Sequence, residues 1–247
     1  MRRISFWPTF VLLLLCSVMP MCASAQSFSQ VPGQLTSISV GGTPTGAVAV
    51  WGINSAQNIF EFDGLSFQNV PGNLTQIAVD GTAVWGINSS NNVFLFDTDQ
   101  GVFVQIAGNL TQIAAHGGAT WGIDANQNVF EFDGNQGKFV QISGSLTKIA
   151  VGGEGQQVWG INANQQIFQF DFDTQAFVEV PGTLTTIAVG GPPSGTIGVW
   201  GLNAANNAFA FNGTAFVQIP GQLTQIAVFG GSVWGINSNQ NIFRLSF

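Results

Sequence analysis

Six tryptophans, Trp51, Trp85, Trp121, Trp159, Trp200 and Trp234, are each followed by glycine and, three residues on, by asparagine or aspartate. An indole face suits the C–H side of a sugar ring, and a carboxamide both donates to and accepts from vicinal hydroxyls. Asn54, Asn88, Asn162, Asn203 and Asn237 supply the carboxamide, and the third copy carries Asp124 instead. The intervening glycine removes a side chain where a ligand or a neighbouring strand comes close. The competing reading is that the indoles fill space between packed sheets, as large aromatics usually do. The four residues after each Asn, such as Ser55 to Asn58 and Ala163 to Gln166, are rich in amides. Asn suits a tight turn because it tolerates positive φ; Gln is less needed there and points to ligand contact.

Other chemistries find little support. His116 is the single histidine, and both cysteines, Cys16 and Cys22, fall near the N-terminus. No Ser–His–Asp or Cys–His set assembles from these residues. Asp63, Asp97, Asp133 and Asp171 recur once per copy, which fits hairpin grammar better than one glycosidase centre. Asp97-x-Asp99-x-Gly101 and Asp171-x-Asp173 look like fragments of calcium loops without the longer ligand series. The expectation is therefore a non-enzymatic protein with no catalytic residues, no metal site and no cofactor.

The tryptophans fall 34, 36, 38, 41 and 34 residues apart, which marks stacked or ring-arranged supersecondary units. Each copy holds four short runs rich in β-branched and aromatic residues and bounded by turn residues. In the second copy these are Phe67 to Val70, Leu74 to Val79, Ala83 to Asn88 and Asn92 to Asp97. Four strands per copy and six copies predict an all-β fold, a six-bladed β-propeller of four-stranded blades. Leu-Thr-x-Ile-Ala-Val is the innermost strand, followed outward by Val-Trp-Gly-Ile-Asn, Asn-Ile-Phe-x-Phe and Phe-Val-Gln-Ile. In that frame the sixth blade lacks its outer strand. Phe28 to Val31 is left over to supply it, so the N-terminal strand completes the last blade and closes the ring. Turns between blades (Pro71-Gly72 and its equivalents) and between strands two and three keep constant length. The other two turns vary. Strand direction puts the constant turns on one rim, where equivalent sites belong.

Arg2 and Arg3, an apolar run from Val11 to Leu15, and Ala23-Ser24-Ala25 read as a secretory signal peptide over residues 1–25. The propeller then spans 26–247, and the expected destination is extracellular or periplasmic. Without Arg2 and Arg3 three basic residues remain against 12 acidic ones, a net charge of about −9. That balance disfavours nucleic acid and anionic membrane surfaces as partners, and the apolar leader is too short for comfortable membrane insertion. A surface of Asn, Gln, Ser and Thr suits neutral, hydroxyl-rich ligands.

Val-Pro-Gly-x-Leu-Thr-x-Ile-Ala-Val-Gly, then Val-Trp-Gly-Ile-Asn and Asn-Ile-Phe, resembles the tectonin repeat of the tectonin and tachylectin-1-like β-propeller lectins. The resemblance covers all six copies. It implies a six-bladed propeller that binds glycans, among them neutral or methylated saccharides and lipopolysaccharide-type microbial surfaces. By motif match it carries the site over to Trp51 with Asn54, Trp85 with Asn88, Trp159 with Asn162, Trp200 with Asn203, and Trp234 with Asn237. The chain departs from the pattern at Phe28, Phe67, Phe103, Phe139, Phe177 and Phe216, where family repeats carry Trp, and it contains no tyrosine. Apolar bulk, and so the fold, is retained. A different functional class, a secreted protein-binding or matrix scaffold, remains open on this reading, as does a polysaccharide-active enzyme.

Overall fold

A computed structural model describes residues 31–42, 48–81, 83–153, 155–190, 198–229, 232–239 and 241–245. From Pro32 onward the chain is one compact unit. It is an all-β propeller ring of six antiparallel sheets. Blade 1 comprises Ser37–Gly42, Val48–Ile53, Asn58–Phe62 and Phe67–Asn73. Blade 2 comprises Gln76–Asp80, Ala83–Ile87, Asn92–Asp97 and Val102–Asn109; blade 3 comprises Gln112–His116, Ala119–Ile123, Asn128–Asp133 and Lys138–Ser145. Blade 4 comprises Lys148–Gly152, Gln157–Ile161, Gln166–Asp171 and Ala176–Thr183; blade 5 comprises Thr186–Gly190, Gly198–Leu202, Asn207–Phe211 and Phe216–Gln222. Blade 6 has three strands among the described residues, Gln225–Phe229, Ser232–Ile236 and Ile242–Arg244. Strands within each blade follow chain order. The expected closing strand, Phe28 to Val31, lies outside the described residues except for Val31, and so does the expected signal peptide.

The first strands line a central channel of about 590 Å³, with small and branched side chains such as Val40, Ala78, Ala114, Ala150, Ala188 and Ala227 from all six blades. His116 stands on this wall. Neighbouring first strands are stitched by polar groups that differ from blade to blade. Ser39 Oγ accepts the Val79 N–H at 3.2 Å, and Gln112 Oε1 accepts that of Ile149 at 3.1 Å. The Asp80 carboxylate accepts the Gly117 and Gly118 N–H groups of blade 3.

Two sequence expectations shift at their edges. The first strand of blade 2 begins at Gln76 rather than Leu74, because Thr75 turns the chain: its N–H and Oγ1 both donate to the Ile87 carbonyl. The outer strand runs past Val70 through Pro71 and Gly72 to Asn73. Asn58 pairs with Asn73 while Ile59 pairs with Val70, so Pro-Gly is a bulge in the ladder rather than a separate turn. Gly72 takes φ 125° there, a backbone conformation that favours glycine, and a β-carbon would lie 3.2 Å from Ile59 Cδ1, so the isoleucine would have to give way by a few tenths of an ångström.

The constant rim is real. The carbonyl of Gln57, in the turn between strands two and three of blade 1, accepts the Leu74 N–H at the start of blade 2. The same bond recurs from Leu110 to Asn91, Leu146 to Gln127, Leu184 to Gln165 and Leu223 to Asn206. Turn length and blade spacing are thereby coupled, which explains why neither varies.

Candidate functional site

The indoles of blades 1 to 5 are buried, 0–8 % exposed. Each of the first four is clasped edge-on by two phenylalanines of the following blade. Trp51 meets Phe96 and Phe103 at ring-centroid distances of 4.8 and 5.9 Å. Trp85 meets Phe132 and Phe139, Trp121 meets Phe170 and Phe177, and Trp159 meets Phe211 and Phe216 in the same way. Each such edge contact contributes roughly 0.5–1.5 kcal/mol beyond burial. The expectation of an indole platform is therefore corrected at Trp51, Trp85 and Trp159, which pack blade against blade; Trp200 is largely buried but, with Trp234, lines a cleft between blades 5 and 6. Trp234 is half-buried, with the Arg244 guanidinium 5.4 Å from its ring centroid.

The asparagines are also partly committed. Asn54 Oδ1 accepts the N–H groups of Ala56 and Asn58, each at 3.0 Å. Asn88, Asn162, Asn203 and Asn237 repeat this Asx turn, and Asp124 makes it with a carboxylate oxygen. The Gln expected to contact ligand is used by the turn as well: Gln57, Gln127 and Gln165 take φ of 65–67° beside Asn91 and Asn206 at 63–64°. What remains for a ligand is the amide nitrogen of the Asx residue. Asn162 Nδ2 donates to Gln166 Oε1, whereas Asn54, Asn88, Asn203 and Asn237 make no such bond among the described residues.

Those nitrogens matter because of where they lie. Between blades 1 and 2 a cleft of about 450 Å³ opens on the constant rim, lined by Ile59, Pro71, Asn73, Asn88, Phe94 and Phe103. Between blades 5 and 6 a cleft of about 530 Å³ is lined by the equivalent Ala208, Pro220, Gln222, Asn237 and Phe243. The same motif elements build both: the Pro-Gly bulge of one blade, and the Asx residue and first Phe of the next. Bulge residues and phenylalanines were legible as structure in the sequence. Their convergence on a cleft was not, because it joins residues of two different blades.

Electrostatically the rims differ. On the variable rim, the N–H of Ser66 holds the Asp63 carboxyl below its ordinary value, and the Gln100 N–H does so for Asp97. The Gln136 side chain acts similarly on Asp133, and the Asp173 N–H on Asp171. These are the hairpin aspartates, and the calcium-loop fragments among them are turn structures: Asp97 Oδ1 accepts from Asp99 and Gln100. Glu131, half-buried opposite Trp121, is pushed up by burial and then by Asp133. Among the described residues no three acids or histidines gather into a cation site, and no helix is long and apolar enough to cross a membrane.

Comparison with known structures places this geometry among propellers. Yeast RCC1 (Prp20), solved bound to Kap60, superposes with a TM-score of 0.66 at 10 % identity, covering 85 % of this chain and 69 % of that one. YCF48 bound to D1 peptide gives 0.59 at 14 % identity, covering 85 % and 78 %. Human WBSCR16 gives 0.59 at 12 % identity, covering 74 % and 67 %. At these identities the likeness is one of fold. No curated protein matches the chain significantly. The tectonin domain family model matches residues 19–175 and again 153–246, so with its Trp-Gly repeats and six blades the chain belongs to the tectonin family.

Proposed function

We propose that this chain is a secreted, multivalent, non-enzymatic carbohydrate-binding protein, a lectin that recognises cell-surface or microbial glycans. The observation that carries the reading is the recurrence of one cleft, beside Asn88 and again beside Asn237, built from the same motif elements. Each offers an amide donor, neighbouring amides at Asn73 or Gln222, and phenylalanine walls, a set that suits an uncharged, partly apolar saccharide such as a methylated sugar. Asn54 and Asn203 extend the pattern, and Asn162 joins it if a ligand displaces Gln166. The tryptophans at 51, 85 and 159 act from behind, fixing the blade spacing that sets cleft width, while Trp200 and Trp234 line the cleft beside Asn237.

Single contacts of this size are weak. Several on one rim gain avidity because later contacts form at high effective concentration, so a polysaccharide or microbial surface is the natural partner. The acidic balance of the chain argues against nucleic acid, and the leader over residues 1–25 argues for export to the periplasm or cell exterior. A broad array of bacterial, neutral and methylated glycans tests the proposal. Binding that weakens at least tenfold with Asn88→Asp and Asn237→Asp together supports it, and an array that stays at background refutes it.

A protein-binding scaffold is the second reading, favoured by the protein and peptide partners with which Prp20 and YCF48 were solved. Capture of a protein partner whose binding survives deglycosylation and both Asn substitutions would favour it.

A further inference from the structure

Blade 4 departs from its siblings at two positions on the face that carries Trp159. Gln157 stands where the other blades have Ala49, Ala83, Ala119, Gly198 and Ser232. Gln169, the cross-strand partner of Trp159, stands where they have Glu61, Leu95, Glu131, Ala210 and Arg244. The two glutamines form a fixed array. Gln157 Oε1 accepts the Trp159 indole N–H at 3.2 Å and Gln169 Nε2 at 3.1 Å. An indole nitrogen only donates, so the Gln157 oxygen must face it and the orientation of both amides follows. Gln157 Nε2 is then left as a donor and Gln169 Oε1 as an acceptor, side by side.

The packing of the blade does not demand this arrangement. In blade 3, with Ala119 at the equivalent place, Trp121 Nε1 is buried without a hydrogen-bond partner and the blade forms all the same. The glutamines instead line a cleft of about 360 Å³, together with Asp171, Phe172 and Val178. That volume falls at the small end of ligand pockets, about 300–1,000 Å³. Phe172 is 38 % exposed and is held edge-on by buried Phe170, with ring centroids 4.9 Å apart. Asp171 uses Oδ1 to accept the Asp173 and Thr174 N–H groups.

We propose that this blade 4 cleft is a further, non-repeated saccharide site that takes a single uncharged pyranose. It rests on the glycan-binding reading above but uses a different surface, the variable-turn end of one blade. The adjacent donor and acceptor of Gln157 and Gln169 match a pair of vicinal hydroxyls. The exposed Phe172 ring offers an apolar face to the sugar's C–H side. The Asp171 carboxylate, ionised at neutral pH, adds an acceptor and repels acidic sugars.

The indole resonance of Trp159 reports on this cleft directly, because its N–H donates to Gln157 Oε1. ¹⁵N-labelled protein is titrated with methyl mannopyranoside, methyl glucopyranoside, methyl galactopyranoside and methyl glucuronide. At least one neutral glycoside shifts the Trp159 indole resonance to saturation, and the glucuronide leaves it in place. Gln157→Ala and Gln169→Leu, which copy the alanine natural at blades 1, 2 and 3 and the leucine natural at blade 2, keep the fold and weaken the neutral glycoside at least tenfold, read on the backbone resonances of Phe172. No movement of the Trp159 resonance with any neutral glycoside, or unchanged affinity in both variants, overturns the proposal. Shifts confined to the side-chain amides of Asn88 and Asn237 overturn it while leaving the repeated clefts intact; a shift at Trp159 alone supports it and speaks against those clefts.

Discussion

Leu74 and Gly86 share one space: a β-carbon on Gly86 would fall well inside van der Waals contact with Leu74 Cδ1. The pair recurs as Leu110 with Gly122, Leu146 with Gly160, Leu184 with Gly201 and Leu223 with Gly235. Two motifs some dozen residues apart, Pro-Gly-x-Leu and Trp-Gly, are therefore halves of one packing unit. The leucine plugs the base of the blade and the glycine makes room for it. Gly160→Ala should overpack blade 4 and destabilise the protein by about 1–3 kcal/mol. Leu146→Ala alone should cost about 2–5 kcal/mol through its cavity. Combining them should cost clearly less than the sum, since each relieves the other, as urea denaturation would show.

The Asx turn separates structure from recognition at a single atom. Asn88→Asp keeps the Oδ1 acceptor, as Asp124 does naturally, and should leave stability within about 0.5 kcal/mol of the parent. Asn88→Ala removes acceptors for the Ser90 and Asn92 N–H groups and should cost about 1–2 kcal/mol. Thermal denaturation of the two variants distinguishes these outcomes.

Blades 3 and 4 differ in how they treat the indole N–H. Trp159 donates to Gln157, while Trp121 has no hydrogen-bond partner. Replacing either with Phe opens a comparable gap, but only Trp159→Phe discards a bond. It should be the more damaging by about 1 kcal/mol, measured by chemical denaturation.

Acid should loosen the hairpins. The carboxyls of Asp63, Asp97, Asp133 and Asp171 lie below their ordinary value of 3.8 because N–H donors hold the ionised form. Their stabilisation is present in full above that value. As pH falls through it the unfolded chain takes up protons that the folded hairpins resist, and stability is lost down through the depressed folded values. Replacing all four with Asn, which forms the same turn at Asn212, should flatten the melting-temperature profile below pH 3.8.

Much of the fold was readable because each copy states it again. Repeated Trp-Gly spacing fixed the number of blades, and constant turn lengths identified the rim on which Leu74 and Gln57 meet. The role of the tryptophans was harder. Trp51 is enclosed by Phe96 and Phe103, which lie in the next blade, and a single repeat gives no sign that its neighbour's phenylalanines will close over it. Gln57 and Gln127 misled in another way: their side chains suggested ligand contact, but their backbones occupy a left-handed turn position that Asn fills elsewhere. The blade 4 glutamines were hidden for the opposite reason, as departures in a pattern whose repetition drew attention to what is shared.

The central claim is that saccharide binds in the repeated clefts of the constant rim. A crystal structure of the protein with the strongest ligand from the glycan array tests it most directly. Sugar density should lie against Phe94 or Phe243, with the amide nitrogen of Asn88 or Asn237 donating to a ring substituent. Sugar bound elsewhere, with both clefts empty of it, would contradict the account.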